Sequence, residues 1–167
     1  MNPPIITDYG LEFTTLYARD TTDLIVIHHT GNPTDDDLSA EQIHYSHLSQ
    51  GWSGIGYHYV IRKDGSVEMG RPEWAIGAHA EGENWKSIGI HVCGNFEVAE
   101  PTQYQIESLA YLIAWIADKY DIPINDRHVL GHCDVNATAC PGKNLYELMD
   151  TIRGKAIWYQ QNYKDGD

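Results

Sequence analysis

The sequence predicts a single-domain α/β fold with a central mixed β-sheet flanked by helices. Three observations carry that expectation. Short β-branched runs alternate with helix-period segments along the chain. Leu24-Ile25-Val26-Ile27 is apolar at every position, as a strand covered on both faces is. The length, 167 residues, suffices for one core and is short for two ordinary domains.

The elements follow in order. Residues 1–22, with Pro3 and Pro4 and no clear period, read as an irregular N-terminal arm. Leu24–Ile27 is the first strand and ends at His28-His29-Thr30-Gly31. Asn32–Asp37 has loop composition, and its three consecutive aspartates lack the spaced carboxylates, central Gly and terminal Glu of a calcium loop, so a solvated loop is expected. A helix is expected over Leu38–Leu48, with Ser39 and Gln42 spaced as a capping box and Gly51 as its stop. Tyr57–Ile61 and Val67–Met69 form a hairpin about the turn Lys63-Asp64-Gly65-Ser66. Ile88–Val92 is a further core strand. Thr102–Lys119 carries the clearest helical stripe, Leu109, Leu112, Ile113, Ile116 and Ala117, just after Pro101. Arg127–Leu130 reads as a short strand, Leu145–Ile157 as a final helix, and Asn162–Asp167 as a frayed end.

Charge and composition exclude some functions. Lys plus Arg number 11 and Asp plus Glu 24, a net charge of −13, so the excess of cations that nucleic acid demands is absent. The hydrophobic fraction of 42% is nevertheless ample for folding. No apolar run approaches the roughly 20 residues of a membrane-spanning helix, and neither membrane nor nucleic acid is an expected partner. Residues 1–10 lack a basic and then apolar leader, so synthesis in the cytoplasm without a signal peptide is expected. Three cysteines do not make a disulfide framework; each can be a buried thiol, one half of a bridge, or a metal ligand.

Nine histidines beside those cysteines prompt a search for a metal site. His28-His29, His79, and His132 with Cys133 and Cys140 lie at or near the ends of expected strands, where loops converge in α/β sheets. Neighbours on a strand point to opposite faces, so His28 and His29 are not expected to share one site. Because the run before them is continuously apolar, alternation alone does not choose between the two.

The surrounding residues resemble a known family. Val26-Ile27-His28-His29-Thr30, the segment Gly51 to Ile61, the hairpin Arg62 to Arg71, Gly77-Ala78-His79-Ala80 with Asn84 and Ser87-Ile88-Gly89-Ile90, and Gly131-His132 with Ala139-Cys140-Pro141-Gly142 resemble, in that order, the zinc N-acetylmuramoyl-L-alanine amidases. Phage lysozyme-type amidases, prophage endolysins and animal peptidoglycan recognition proteins share this pattern, which runs here from about residue 23 to 155. The resemblance implies a Zn²⁺ site made by His28, His132 and Cys140, with peptidoglycan or a muropeptide as partner. It implies that Tyr57 hydrogen-bonds the attacking water or the developing oxyanion. His47 and His79 would line the groove for the peptide stem, with Trp52 and Trp85 as further walls; His29, His58, Cys93 and Cys133 would be structural. The phage members carry a catalytic lysine two positions before the cysteine ligand, and this chain has Thr138 there, whose hydroxyl can donate but cannot carry charge.

The implied organisation is an arm over 1–22, a zinc amidase catalytic domain over 23–157 and a tail over 158–167, working as a monomer without a separate wall-binding module. The expected reaction is hydrolysis of the amide between N-acetylmuramic acid and L-alanine of the stem peptide, at the cell wall. The alternative is a muropeptide-binding module without catalysis; retention of Cys140 together with Tyr57 favours the enzyme.

Overall fold

The computed structural model describes residues 1–31 and 33–164. Its strands are β1 (Ile6–Thr7), β2 (Leu24–His29), β3 (Tyr59–Ile61), β4 (Val67–Met69), β5 (Ser87–Val92) and β6 (Val129–Gly131). The helices are α1 (Ala40–Ser49), α2 (Gln103–Tyr120), α3 (Lys143–Tyr146) and α4 (Met149–Asn162). The strands form one mixed sheet in the order β1-β4-β3-β5-β2-β6, in which only the β3–β4 hairpin is antiparallel.

Side-chain alternation across the sheet decides where chemistry can sit. Ile25 and Ile27 of β2, Ile88, Ile90 and Val92 of β5, and Tyr59 and Ile61 of β3 enter one core with Leu109, Leu112, Ile113 and Ile116 of α2 and Met149 and Ile152 of α4. Each such aliphatic side chain contributes about 1.5–3 kcal/mol on burial. The part-exposed Lys155–Glu107 ion pair bridging α4 and α2 contributes at most about 1 kcal/mol, so apolar contact holds that seam. The opposite face carries a smaller cluster of Val60, Cys93, Ile55, and Ala40 and Ile43 of α1. With a period of two, Val26 and His28 point to this second face, and His29 points back with Ile25 and Ile27. The register from neighbouring strands thus supplies the choice that the apolar run left open.

Several boundaries differ from expectation. Ser39 and Gln42 form the expected capping box, and Thr102 with Gln105 forms a second one at α2. The expected helix over Leu145–Ile157 is two helices with a break at Glu147-Leu148, and the second continues to Asn162. That extension is held by Tyr159, whose hydroxyl donates to Glu107, and by Gln160, whose amide donates to the Ala114 carbonyl. Residues 158–162 are therefore helical, Tyr163 and Lys164 follow the helix, and 165–167 lie outside the described residues. In the N-terminal arm, β1 pairs parallel with β4, and Ala18 bridges Ala75. The aspartate loop is exposed, as expected, and it is also tethered to its neighbours. Asp35 takes the Lys63 ammonium at 2.6 Å and the Asn95 N–H at 2.9 Å, and Asp37 takes Arg62 Nε at 3.1 Å. No described helix is long and apolar enough to cross a membrane.

Candidate active site

Parallel β2, β5 and β6 end at one edge of the sheet, and the site is assembled there. His28 sits at the end of β2 and is 1% exposed. The chain leaves β6 at Gly131 directly into a 3-10 turn, His132–Asp134, which delivers His132. The following loop closes when the Cys133 N–H donates to the Cys140 carbonyl at 2.8 Å, returning Cys140 to the same point. One ligand atom from each of His28, His132 and Cys140 lies within 4.8 Å of the others. The Cys140 sulfur is 3.7 Å from His28 Nδ1. Two donors at ordinary zinc distances subtend about 3.6 Å across a tetrahedral edge, so this pair stands where a shared zinc would place it. Two imidazoles and a thiol with an open side also match the donor set of a catalytic zinc centre.

The outer partners select the free nitrogens. His28 Nε2 pairs with His79 Nδ1 at 2.9 Å, and His132 Nε2 pairs with the Asn136 side-chain oxygen at 2.8 Å. In both rings Nδ1 is left over. Burial, and then the neighbouring His79 and His132, hold His28 well below the ordinary imidazole range. His28 is thus neutral, as a metal ligand must be. Burial pushes the Cys140 thiol up to about 12, against a lowering contribution from the His29 N–H, which donates to the sulfur at 3.4 Å. A thiolate here requires a facing cation.

Tyr57 stands beside the triad and lines both adjoining cavities, its ring centroid 5.0 Å from that of His28. Its backbone is fixed from beneath. The Tyr57 carbonyl accepts the Arg71 N–H at 2.8 Å, and the buried Arg71 guanidinium donates to the Ile55 and Ile76 carbonyls at 3.0 Å each. Burial raises the phenol above its ordinary value, so Tyr57 keeps its proton and is a donor at neutral pH. Two cavities meet at Tyr57, His132 and Thr138. One of about 350 Å³ includes His28, Asn95, Glu97 and Cys140, and one of about 730 Å³ includes Trp52, His79, Glu81 and Asn136. A groove therefore passes over the triad from side to side.

The remaining expected residues separate by position. Thr138 lines both cavities, and its hydroxyl oxygen accepts the Cys140 N–H at 3.2 Å. His79 lines the larger cavity while its ring reaches behind to His28. His47 lines neither cavity; its Nδ1 accepts the Gly56 N–H at 3.1 Å, and its ring lies between Trp52 and Tyr57. Trp52 lines the groove, whereas Trp85 lines neither cavity and its indole donates to the carbonyl of Gly82 on the larger cavity's wall. The Cys93 thiol donates to the Leu38 carbonyl at 3.0 Å. His29, His44 and His58 each accept a backbone N–H at Nδ1, from Phe96, Ile55 and Gly89. Much of the histidine surplus thus satisfies backbone donors.

Sequence reasoning passed over Asn136, Glu97 and His91. Asn136 lies four positions beyond His132, the spacing that brings side chains together across one turn, and that was the available signal. Glu97 and His91 carry no local signal. His91 is brought beneath Tyr57, ring centroids 4.7 Å apart, by strand register alone.

Comparison with known proteins agrees with this geometry. The profile of the family described as N-acetylmuramoyl-L-alanine amidase matches residues 18–143. The chain belongs to that family. Among its relatives, the endolysin of Escherichia phage T7 is 34% identical over 147 residues, covering 81% of this chain and 95% of the relative. An endolysin N-acetylmuramoyl-L-alanine amidase from Clostridium intestinale superposes with a TM-score of 0.81 at 38% identity, covering 90% of this chain and 95% of that one. A Drosophila PGRP-LB variant in complex with tracheal cytotoxin superposes with a TM-score of 0.76 at 25% identity, covering 87% and 93%. The family thus spans endolysins and peptidoglycan recognition proteins, and the matched segment contains His28, Tyr57, His132 and Cys140.

Proposed function

We propose that the protein is a zinc-dependent peptidoglycan hydrolase that cleaves the amide between N-acetylmuramic acid and L-alanine of the stem peptide. The observation that carries this reading is the triad His28, His132 and Cys140 at the floor of a groove, with the protonated Tyr57 beside it. Zinc held by those three side chains would supply Lewis acidity, polarising the amide carbonyl and acidifying the attacking water.

The protein's own groups do the rest. The glycan and the stem peptide occupy the two cavities on either side of the triad, placing the scissile amide between them. Tyr57 donates its phenolic hydrogen toward the oxygen on which negative charge develops, a donor fixed in advance by the Arg71 brace. Thr138 receives the Cys140 N–H on its oxygen and lines the groove, where its own hydroxyl hydrogen is free to be donated to the departing L-alanine amine. His79 meets the stem from the groove wall, and His47 supports Tyr57 by holding Gly56. The protein works as a monomer on the cell wall.

The endolysin and amidase relatives support catalysis over binding alone. The test compares zinc-loaded with chelator-treated protein on purified walls. Stem peptides are released by the former, and release returns when zinc is restored. Equal release by metal-free protein would overturn the mechanism, and muropeptide binding without release would favour the binding module.

A further inference from the structure

The imidazole of His79 is held more closely than a groove wall requires. The Asn84 side-chain oxygen accepts the N–H of both His79 and Ala80 at 2.9 Å, fixing the loop that carries the ring. Glycines make room for it. A Cβ on Gly89 would stand 2.5 Å from His79 Cγ, and one on Gly77 would stand 2.7 Å from its Cδ2. Any other residue at 89, in the middle of β5, would displace the ring.

The hydrogen bonds around this ring have a fixed direction. The Ser87 hydroxyl oxygen lies 2.7 Å from the Glu83 carbonyl and 3.2 Å from His79 Nε2. A carbonyl only accepts, so the single Ser87 hydrogen goes to Glu83. Ser87 can then only accept from His79, which places hydrogen on Nε2 of that ring. A neutral imidazole protonated there has its lone pair on Nδ1, and that atom lies 2.9 Å from His28 Nε2. His28 must therefore donate from Nε2, and its Nδ1 lone pair is left facing the Cys140 sulfur.

We propose that His79 and Ser87 are positioning residues: a directed chain from the Glu83 carbonyl through Ser87 and His79 fixes the tautomer of His28, so that Nδ1 is ready to bind metal before metal arrives. The proposal rests on the reading of His28 as a zinc ligand. An outer partner of this kind orients the ligand ring and raises its basicity, and its loss weakens metal binding by about 10–100-fold.

The first measurement needs neither metal nor substrate. Long-range proton–nitrogen correlation spectra of the metal-free, full-length protein, labelled with ¹⁵N in histidine, report which nitrogen of each ring carries hydrogen. The expected result is hydrogen on Nε2 of both His28 and His79; hydrogen on Nδ1 of His28 would overturn the proposal. The second is zinc affinity by competition with a chromogenic chelator. His79→Ala is expected to weaken zinc binding by about 10–100-fold. His79→Asn, whose amide oxygen can stand close to the place of Nδ1, recovers most of that loss. Ser87→Ala, which leaves the His79 ring in place, gives a smaller loss and a mixed tautomer at His79. Parental affinity in His79→Ala would contradict the chain of causes. These readouts separate the proposal from the amidase reading: a protein that holds zinc on His28 in this tautomer but releases no stem peptide would overturn only the latter.

Discussion

The Cys140 sulfur lies 3.7 Å from Nδ1 of His28, although 112 positions separate the two residues in the chain. The contact depends on β2 and β6 being parallel neighbours that end together, and on the loop from His132 closing onto the Cys140 carbonyl. Removing the thiol should therefore remove a ligand without disturbing the sheet. Cys140→Ala is expected to purify with far less than one equivalent of zinc while keeping the parental circular dichroism spectrum. Full zinc occupancy by elemental analysis would show that the metal is held elsewhere.

Tyr57 is braced beside the triad and belongs to none of its ligands. Tyr57→Phe keeps the ring and loses only the donor. Turnover should fall on the order of 10²-fold, the cost of deleting one preorganised oxyanion donor, with zinc content unchanged. Steady-state release of stem peptide measures this. A parental rate would return Tyr57 to a packing role.

Thr138 offers a hydroxyl in a place where phage relatives are expected to have a lysine. Its oxygen already accepts the Cys140 N–H, so both the loop and the donated hydrogen depend on it. Thr138→Val should lower turnover by about 3- to 10-fold, the worth of one ordinary hydrogen bond. Thr138→Ser should leave it nearly unchanged. Equal rates for Val and Ser variants would exclude the hydroxyl from the reaction.

The structural histidines make stability depend on pH. His58 accepts the Gly89 N–H at Nδ1 and lies 2.8 Å from the Ala75 carbonyl at Nε2, a pairing made by the neutral ring. Burial lowers His58 to about 4, and burial beside His29 and His47 lowers His91 to about 3. An unfolded chain takes up protons at these positions near pH 6.5 while the folded chain does not, so stability is lost as pH falls below 6.5 toward those values. Each ring contributes about 1.4 kcal/mol per pH unit in that window. The thermal midpoint of metal-free protein should fall by roughly 8–16 °C between pH 7 and pH 5, given about 2–4 °C per kcal/mol for a chain of this size. A constant midpoint across that range would show that these rings take up protons as readily in the folded chain as in the unfolded one.

Much of this was legible in the sequence because local chemistry wrote it. The Ser39/Gln42 capping box, the apolar stripe of α2 and the uniformly apolar β2 each declare themselves within a few residues. The triad of His28, His132 and Cys140 was legible only through the family resemblance; strand ends alone gather histidines and cysteines without choosing among them. What was not legible depends on partners distant in the chain. The face that His28 takes is decided by β5 and β6, and β1 becomes a strand because β4 offers it an edge. The extension of α4 to Asn162 depends on Glu107 and Ala114 of α2. The double position of His79, on the groove wall and behind His28, needs its own loop with Gly77 and the Ser87–Gly89 stretch of β5 to converge.

The central claim is that this triad cuts one particular bond, and mass spectrometry of digested cell walls tests it most directly. Walls treated with zinc-loaded protein should yield intact glycan strands and free stem peptides that begin with L-alanine, and Cys140→Ala should yield neither. Products cleaved between sugars or within the stem, or digestion undiminished in Cys140→Ala, would contradict the account.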